Sequence, residues 1–232
     1  MAPFMELHNI SKVYPWGEGE VFALNHISFT VEDGEFTAIV GESGSGKSTL
    51  MNILGCLDSP TGGEYFLRGQ PVVGLRDKQL SQVRNREIGF VFQGYHLIPT
   101  LTSLENVELP LLYREMGRKE RRQRAVEALC SVGLGERLGH FPSQMSGGQQ
   151  QRVAVARAIA ADPKCILADE PTGNLDPQST WEVMNVLRRL HRQGKTIVLI
   201  THDQAVAKSA KRIVGIGKGR LLFDKPGEGV WC

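Results

Sequence analysis

Phe36-Thr-Ala-Ile-Val40-Gly41-Glu42-Ser43-Gly44-Ser45-Gly46-Lys47-Ser48-Thr49 is the stretch whose reading decides the fold. Its first five residues form a short, continuous apolar run, the pattern of a strand buried on both faces. The last three open a helix expected over Lys47–Leu54. Between them lies G-x-x-x-x-G-K-[ST], a strand-to-helix turn built to hold phosphate. Glycines let successive backbone N–H groups converge on an anion, and the helix start adds a fixed partial positive charge. Lys47 can reach the β and γ phosphates, and the Ser48 hydroxyl can ligate Mg²⁺. Residues Gly41, Glu42, Ser43, Gly44, Ser45, Gly46, Lys47, Ser48 and Thr49 are therefore the expected phosphate-binding set. A Gly/Ser turn capping an ordinary helix is the plainer alternative, and the strand before and helix after weigh against it.

Outward from this loop, further strand-like runs are read at Leu7–Tyr14, Ile27–Val31, Ile88–Phe92, Cys165–Ala168, Thr196–Ile200 and Arg212–Ile216. Helical patterns fall between them at Lys119–Val132, Gly147–Ala160 and Pro177–Arg192. Strands alternating with helices predict an α/β fold with a mostly parallel sheet. The chain up to about Val31 is expected to form a separate antiparallel sheet. Residues 99–142 depart from the alternation and read as almost wholly helical, broken at Pro99, Pro110 and Gly117. They are expected to form an inserted helical subdomain, continuing into the helix of 146–160, within one domain over 1–232.

Two more strands end in chemistry. Cys165-Ile-Leu-Ala-Asp169-Glu170 closes an apolar run with two carboxylates. In a phosphate-loop protein the first can hold Mg²⁺ and the second can orient and deprotonate a water. Thr196-Ile-Val-Leu-Ile200-Thr201-His202 sets an imidazole at a strand's carboxyl end, where open α/β sheets bind ligands. Ser146-Gly147-Gly148-Gln149 begins a helix with a good N-cap and a sterically open first turn. Each has a bland reading as well: a solvated strand end, a structural histidine, a simple cap.

Taken in order, these features resemble the ABC ATPase family. The set comprises the phosphate loop, a glutamine after a strand (Phe90-Val-Phe-Gln93), Ser146-Gly-Gly-Gln149, Asp169-Glu170, an aspartate loop (Asn174-Leu-Asp176) and His202. The resemblance covers nearly the whole chain. It implies a phosphate-loop core, ATP and Mg²⁺ as ligands, and a second ATPase subunit docked head to tail. One subunit's phosphate loop and the other's Ser146, Gly147, Gly148 and Gln149 would then share each nucleotide. It further implies Glu170 as general base, with Ser48, Gln93 and Asp169 around the metal. Gln93 would also sense the attacking water, His202 would contact the γ-phosphate, and Asp176 would link the two sites. Tyr14 matches the aromatic that stacks on adenine, with Trp16 as its rival. Met145 departs from the leucine usual before Ser-Gly-Gly-Gln, and both are apolar and unbranched at Cβ.

Within the family the chain looks most like ATPase subunits of lipoprotein-release and macrolide-export systems. Gly89-Phe-Val-Phe-Gln93, Leu104-Glu-Asn-Val-Glu-Leu-Pro110, Gln144-Met-Ser-Gly-Gly-Gln-Gln-Gln-Arg152 and Thr172-Gly-Asn-Leu-Asp176 carry that likeness. It implies integral membrane permease subunits as partners and a cytoplasmic location at the inner face of the membrane.

Composition agrees. Of 232 residues, 41% are hydrophobic and 22% charged, enough for a core, and the net charge of +2 gives no case for nucleic acid as partner. Four scattered cysteines make neither a zinc framework nor a disulfide scaffold, which favours a reducing compartment. No apolar run is long enough to span a bilayer, and Met1–Tyr14 lacks a secretory core. A chromosome-maintenance ATPase would need a long coiled coil between Ser48 and Ser146, and no sustained heptad is present there. A ribosome-associated ATPase would need two cassettes. The basic run Arg118-Lys-Glu-Arg-Arg-Gln-Arg124 reads either as a solvated helix face or as a surface near anionic lipid.

Overall fold

A computed structural model describes residues 2–17 and 19–229, and the chain divides into two compact units, Met1–Val83 with Thr196–Cys232, and Arg84–Lys195. In chain order the first unit supplies β1 (Met5–Trp16), β2 (Gly19–Val31), β3 (Phe36–Val40), α1 (Lys47–Leu54), β4 (Gly62–Leu67) and β5 (Gln70–Pro71). Helix α2 (Asp77–Glu87) leads out of it. The second unit holds β6 (Ile88–Phe92), α3 (Ser103–Glu108), α4 (Arg118–Ser131), α5 (Gly147–Ala160), β7 (Cys165–Asp169) and α6 (Pro177–Arg192). The chain then returns to the first unit through β8 (Thr196–Thr201), α7 (Gln204–Ala207), β9 (Arg212–Gly217) and β10 (Arg220–Pro226).

In the first unit, β3 is buried at every residue and lies between β8 and β9, parallel to both. Phe36, Ile39 and Val40 each gain roughly 1.5–3 kcal/mol from leaving water, which fixes this strand at the centre. The antiparallel β10 borders β9. A second sheet has the order β2-β1-β4-β5 and is antiparallel throughout, as expected for the amino-terminal part. Arg212 joins the two sheets: its guanidinium donates to both Asp224 oxygens at 2.8 and 2.6 Å, to the Thr30 carbonyl at 2.9 Å and to Glu35 at 3.1 Å.

In the second unit, β6 and β7 run parallel, pairing Ile88 with Cys165 through to Phe92 with Asp169. Residues 99–142 are helical in the main: α3, α4 and three 3₁₀ turns. Helix α3 is set by a capping box in which Thr102 accepts from the Glu105 N–H and Glu105 accepts from the Thr102 N–H. Asn106, fully buried, accepts from the Ile98 N–H and donates to the carbonyls of Leu101 and Thr102, tying down the approach to α3. Helix α5 presents Val153, Ala154, Val155 and Ala156 to the core, a run of small side chains that permits close packing.

Cys56, Cys130 and Cys165 are not joined in disulfides; Cys232 lies outside the described residues. Among the described residues no helix is long and apolar enough to cross a membrane.

Candidate functional site

The expected site residues fall in both units. Tyr14, residues 41–49 and His202 belong to the first; Gln93, residues 146–149, Asp169, Glu170 and Asp176 belong to the second.

In the first unit, Val40 pairs with Thr201, so Gly41 and His202 leave parallel neighbours side by side at their carboxyl ends. The loop then closes through Gly46, whose φ of 104° is one that glycine adopts without penalty. A Cβ there would stand 2.5 Å from the Ala23 carbonyl oxygen, so the loop presses against β2. Glu42, Ser43 and Gly44 remain exposed at the tip. Lys47, only 8% exposed, curls back so that its ammonium donates to the carbonyls of Gly41 and Glu42 at 2.8 and 2.7 Å. Ser45 Oγ is buried and makes no hydrogen bond, an unspent polar group inside the loop. Ser48 stands in the first turn of α1, which contains no acidic residue to compete with an incoming anion.

Tyr14 is 36% exposed. Its hydroxyl donates to Asp58 at 2.8 Å, and the Lys12 ammonium lies 5.0 Å from the ring centroid while bonding the other Asp58 oxygen at 2.6 Å. Burial and Asp58 push the Tyr14 hydroxyl up, partly offset by Thr49 at the start of α1. Burial alone would raise the Asp58 carboxyl, but the Lys12 and Tyr14 hydrogen bonds win and hold it low. The Trp16 side chain lies outside what the structure describes.

In the second unit, Phe92 opposite Asp169 makes Gln93 and Glu170 leave their strands at the same edge. Glu170 has a φ of 46°, uncommon for a residue with a side chain and a mark of local strain. Its carbonyl accepts from the Gly173 N–H, starting the turn that ends at Asp176, and Gln93 donates to Asn174 at 3.4 Å. Asp176 caps α6: its carboxylate accepts from the Ser179 hydroxyl at 2.6 Å and the Ser179 N–H at 2.9 Å, which together hold its pKa down. Ser146 caps α5, accepting from the Gln149 N–H while Gln149 accepts from the Ser146 N–H.

Two further contributors on α5 escaped the sequence reading. Tyr95 and His96 both have left-handed backbones, at φ 56° and 49°, and the Arg157 guanidinium holds both of their carbonyls. Gln151, fully buried, donates to the Phe92 carbonyl at the end of β6. Both side chains lie beyond Ser146 on α5, where the S-G-G-Q signal draws attention to the helix start alone.

Ser48 and Asp169 supply hard oxygen donors, the type Mg²⁺ accepts. Among the described residues there is no group of three His, Cys, Asp or Glu side chains that could hold a metal ion. Mg²⁺ takes few protein ligands and completes its shell with phosphate and water oxygens, so a single hydroxyl or carboxylate of this kind in either unit suits its chemistry.

Residues 24–173 match the family model described as ABC transporter. The ABC transporter ATP-binding protein YvrO of Bacillus subtilis (strain 168) is 54% identical over 224 residues, covering 97% of this chain and 98% of that protein. The macrolide export ATP-binding/permease protein MacB of Hyphomonas neptunium is 52% identical over 222 residues, 96% of this chain but 34% of that longer protein. Among solved structures, the dimeric post-hydrolysis state of the ATP-binding cassette MJ0796 bound to ADP and Pi superposes with a TM-score of 0.90 at 45% identity. That match covers 96% of this chain and 98% of the other.

Proposed function

The chain belongs to the ABC transporter family as an ATP-binding component, and from that premise we propose that it binds and hydrolyses ATP between two copies to drive a membrane permease. The geometry of residues 41–48 supports the reading most directly. A glycine-closed loop with an exposed backbone tip, a buried lysine and an acid-free helix start is a receptor for a polyphosphate. On binding, Lys47 would exchange the carbonyls of Gly41 and Glu42 for phosphate oxygens, which carry full charge and bond more strongly.

Ser48 and Asp169, assisted by Gln93, are the residues that would hold Mg²⁺, whose charge offsets that of the phosphates. Glu170 is the general base: it takes a proton from the attacking water as the water oxygen bonds the γ-phosphorus and the bond to the β–γ bridging oxygen breaks, leaving ADP and phosphate. His202 donates to the γ-phosphate, and Tyr14 stacks on the base. Ser146, Gly147, Gly148 and Gln149 serve the nucleotide held by the partner copy, and Asp176 links the two sites. Both compact units work as one ATPase cassette over 1–232, with 99–142 as its helical subdomain. The dimeric cassette at 45% identity and the ATP-binding/permease relatives support a dimer working with integral membrane permease subunits of the lipoprotein-release or macrolide-export class. The protein would then sit on the cytoplasmic face of the membrane through that permease.

The test is Glu170→Gln. Turnover should fall by roughly 10²–10⁴-fold, the scale for losing a positioned general base, while ATP binding is retained. Size-exclusion chromatography with MgATP should show the variant held as a dimer. Near-normal hydrolysis would remove Glu170 from the role.

A further inference from the structure

Gly148 is the second residue of α5, and its φ lies outside the left-handed region. Nothing in its torsion asks for glycine, and alanine would favour the helix. What excludes a side chain is a neighbour. A Cβ at 148 would stand 2.2 Å from Ser179 Oγ and 2.5 Å from Ser179 Cβ. Rotating the hydroxyl away relieves the first contact but not the second, because Cβ is fixed by the backbone of α6. Ser179 is itself anchored, with both its hydroxyl and its N–H on the Asp176 carboxylate. On the adjacent residue, a Cβ at Gly147 would stand 2.7 Å from the Tyr95 hydroxyl and 3.7 Å from Leu175. The start of α5 is thus gripped by the chain that follows Gln93 and by the turn that ends in Asp176.

The geometry points to Ser179 as a positioning residue that joins the Asp176 carboxylate to the amino end of α5. It fills the space any side chain at 148 would need, so a displacement of Asp176 is passed to Ser146–Gln149 within the same chain. Glycine at 148 is then demanded by this chain's own α6, whether or not a partner's nucleotide arrives. This rests on the reading that Asp176 and residues 146–149 both serve nucleotide.

The experiment is a double-mutant cycle of Gly148→Ala and Ser179→Gly, read first by thermal unfolding without nucleotide. With Ser179 present, Gly148→Ala overpacks the contact and should lower Tm by about 3 °C or more. In the Ser179→Gly background the clash is gone, helix propensity decides, and Gly148→Ala should be neutral or raise Tm. An equal shift in both backgrounds would overturn the link. The second readout is ATP turnover, which tight packing alone would not restore. Gly148→Ala should lose at least about tenfold, and removing the Ser179 side chain should recover part of that loss in the double variant. If the melting effect reverses while turnover of the double variant stays at the Gly148→Ala level, the positioning role is overturned and the whole loss at Gly148 comes from its contact with nucleotide. If the wild-type protein turns over no ATP, the functional reading fails, and the melting cycle still judges the contact.

Discussion

Tyr14 is fastened at its tip: Asp58 takes its hydroxyl, and Lys12 crosses its ring while neutralising Asp58. A ring fixed in this way offers a face to a base without reading its edge, so ATP and GTP should be treated alike. Tyr14→Ala should weaken both by about 1–3 kcal/mol, the range for losing a base–aromatic stack, and Tyr14→Phe should lose less because the ring remains. Titration calorimetry with non-hydrolysable ATP and GTP analogues decides it; unchanged affinity for both would move the stacking role elsewhere. At this scale much of the candidate site was legible. Lys47, Ser146 and the two strand-end acids each stand in a local pattern that physics explains from sequence alone, whereas Asp176 entered only through the resemblance to the ABC ATPase family. Ser179 and Arg157 were not legible, because Ser179 meets Gly148 and Arg157 holds Tyr95 and His96, all distant in sequence. Asp58 was hidden for the same reason, lying more than forty residues from Tyr14.

Among the elements, β9 and β10 depend on Arg212, which also reaches the Thr30 carbonyl of β2 and Glu35. Arg212→Met keeps the apolar stem but takes from Glu35 and Asp224 the cation they share, and should cost about 1–3 kcal/mol in denaturant unfolding. Arg212 beside Asp224 holds that carboxyl below its ordinary value, more than offsetting the opposing effect of burial. The folded-state pKa is depressed, so the stabilisation is whole above the ordinary carboxylate range near about 4 and is lost as pH falls through the folded value. The wild-type advantage over Arg212→Met should therefore shrink in acid; a constant gap from neutral to acid pH would contradict the network. The bounds of β3, β6, α1, α5 and α6 follow from sequence because apolar runs end at glycine, acid or proline signals. Helix α2 escaped because it buries no residue and so shows no apolar stripe. Strands β4 and β10 escaped because one opens on paired glycines and the other is an edge strand with mostly exposed side chains. The Thr102–Glu105 capping box was a signal for α3 that lay in plain view.

For the whole molecule, the proposed composite site makes a prediction about mixtures. Lys47→Ala removes the phosphate loop's cation and leaves residues 146–149 intact; Ser146→Arg does the reverse by crowding the helix start. Alone, each should trap no ATP. A mixed dimer contains one intact site and one doubly damaged site, so the mixture should trap up to about one nucleotide per mixed dimer. Mixed dimers verified by cross-linking that trap nothing would count heavily against the head-to-tail arrangement. The order of the chain adds a constraint of a different kind. The strand that launches the phosphate loop, β3, has both its hydrogen-bonded neighbours, β8 and β9, encoded more than 150 residues further on. At about 5–20 residues per second, a ribosome leaves this wholly buried strand unpaired for roughly 10–30 s. The second unit, continuous in sequence, is complete before then. Newborn chains of this protein should therefore be most vulnerable to aggregation, and most attractive to chaperones, through the very strand that leads into the proposed nucleotide loop.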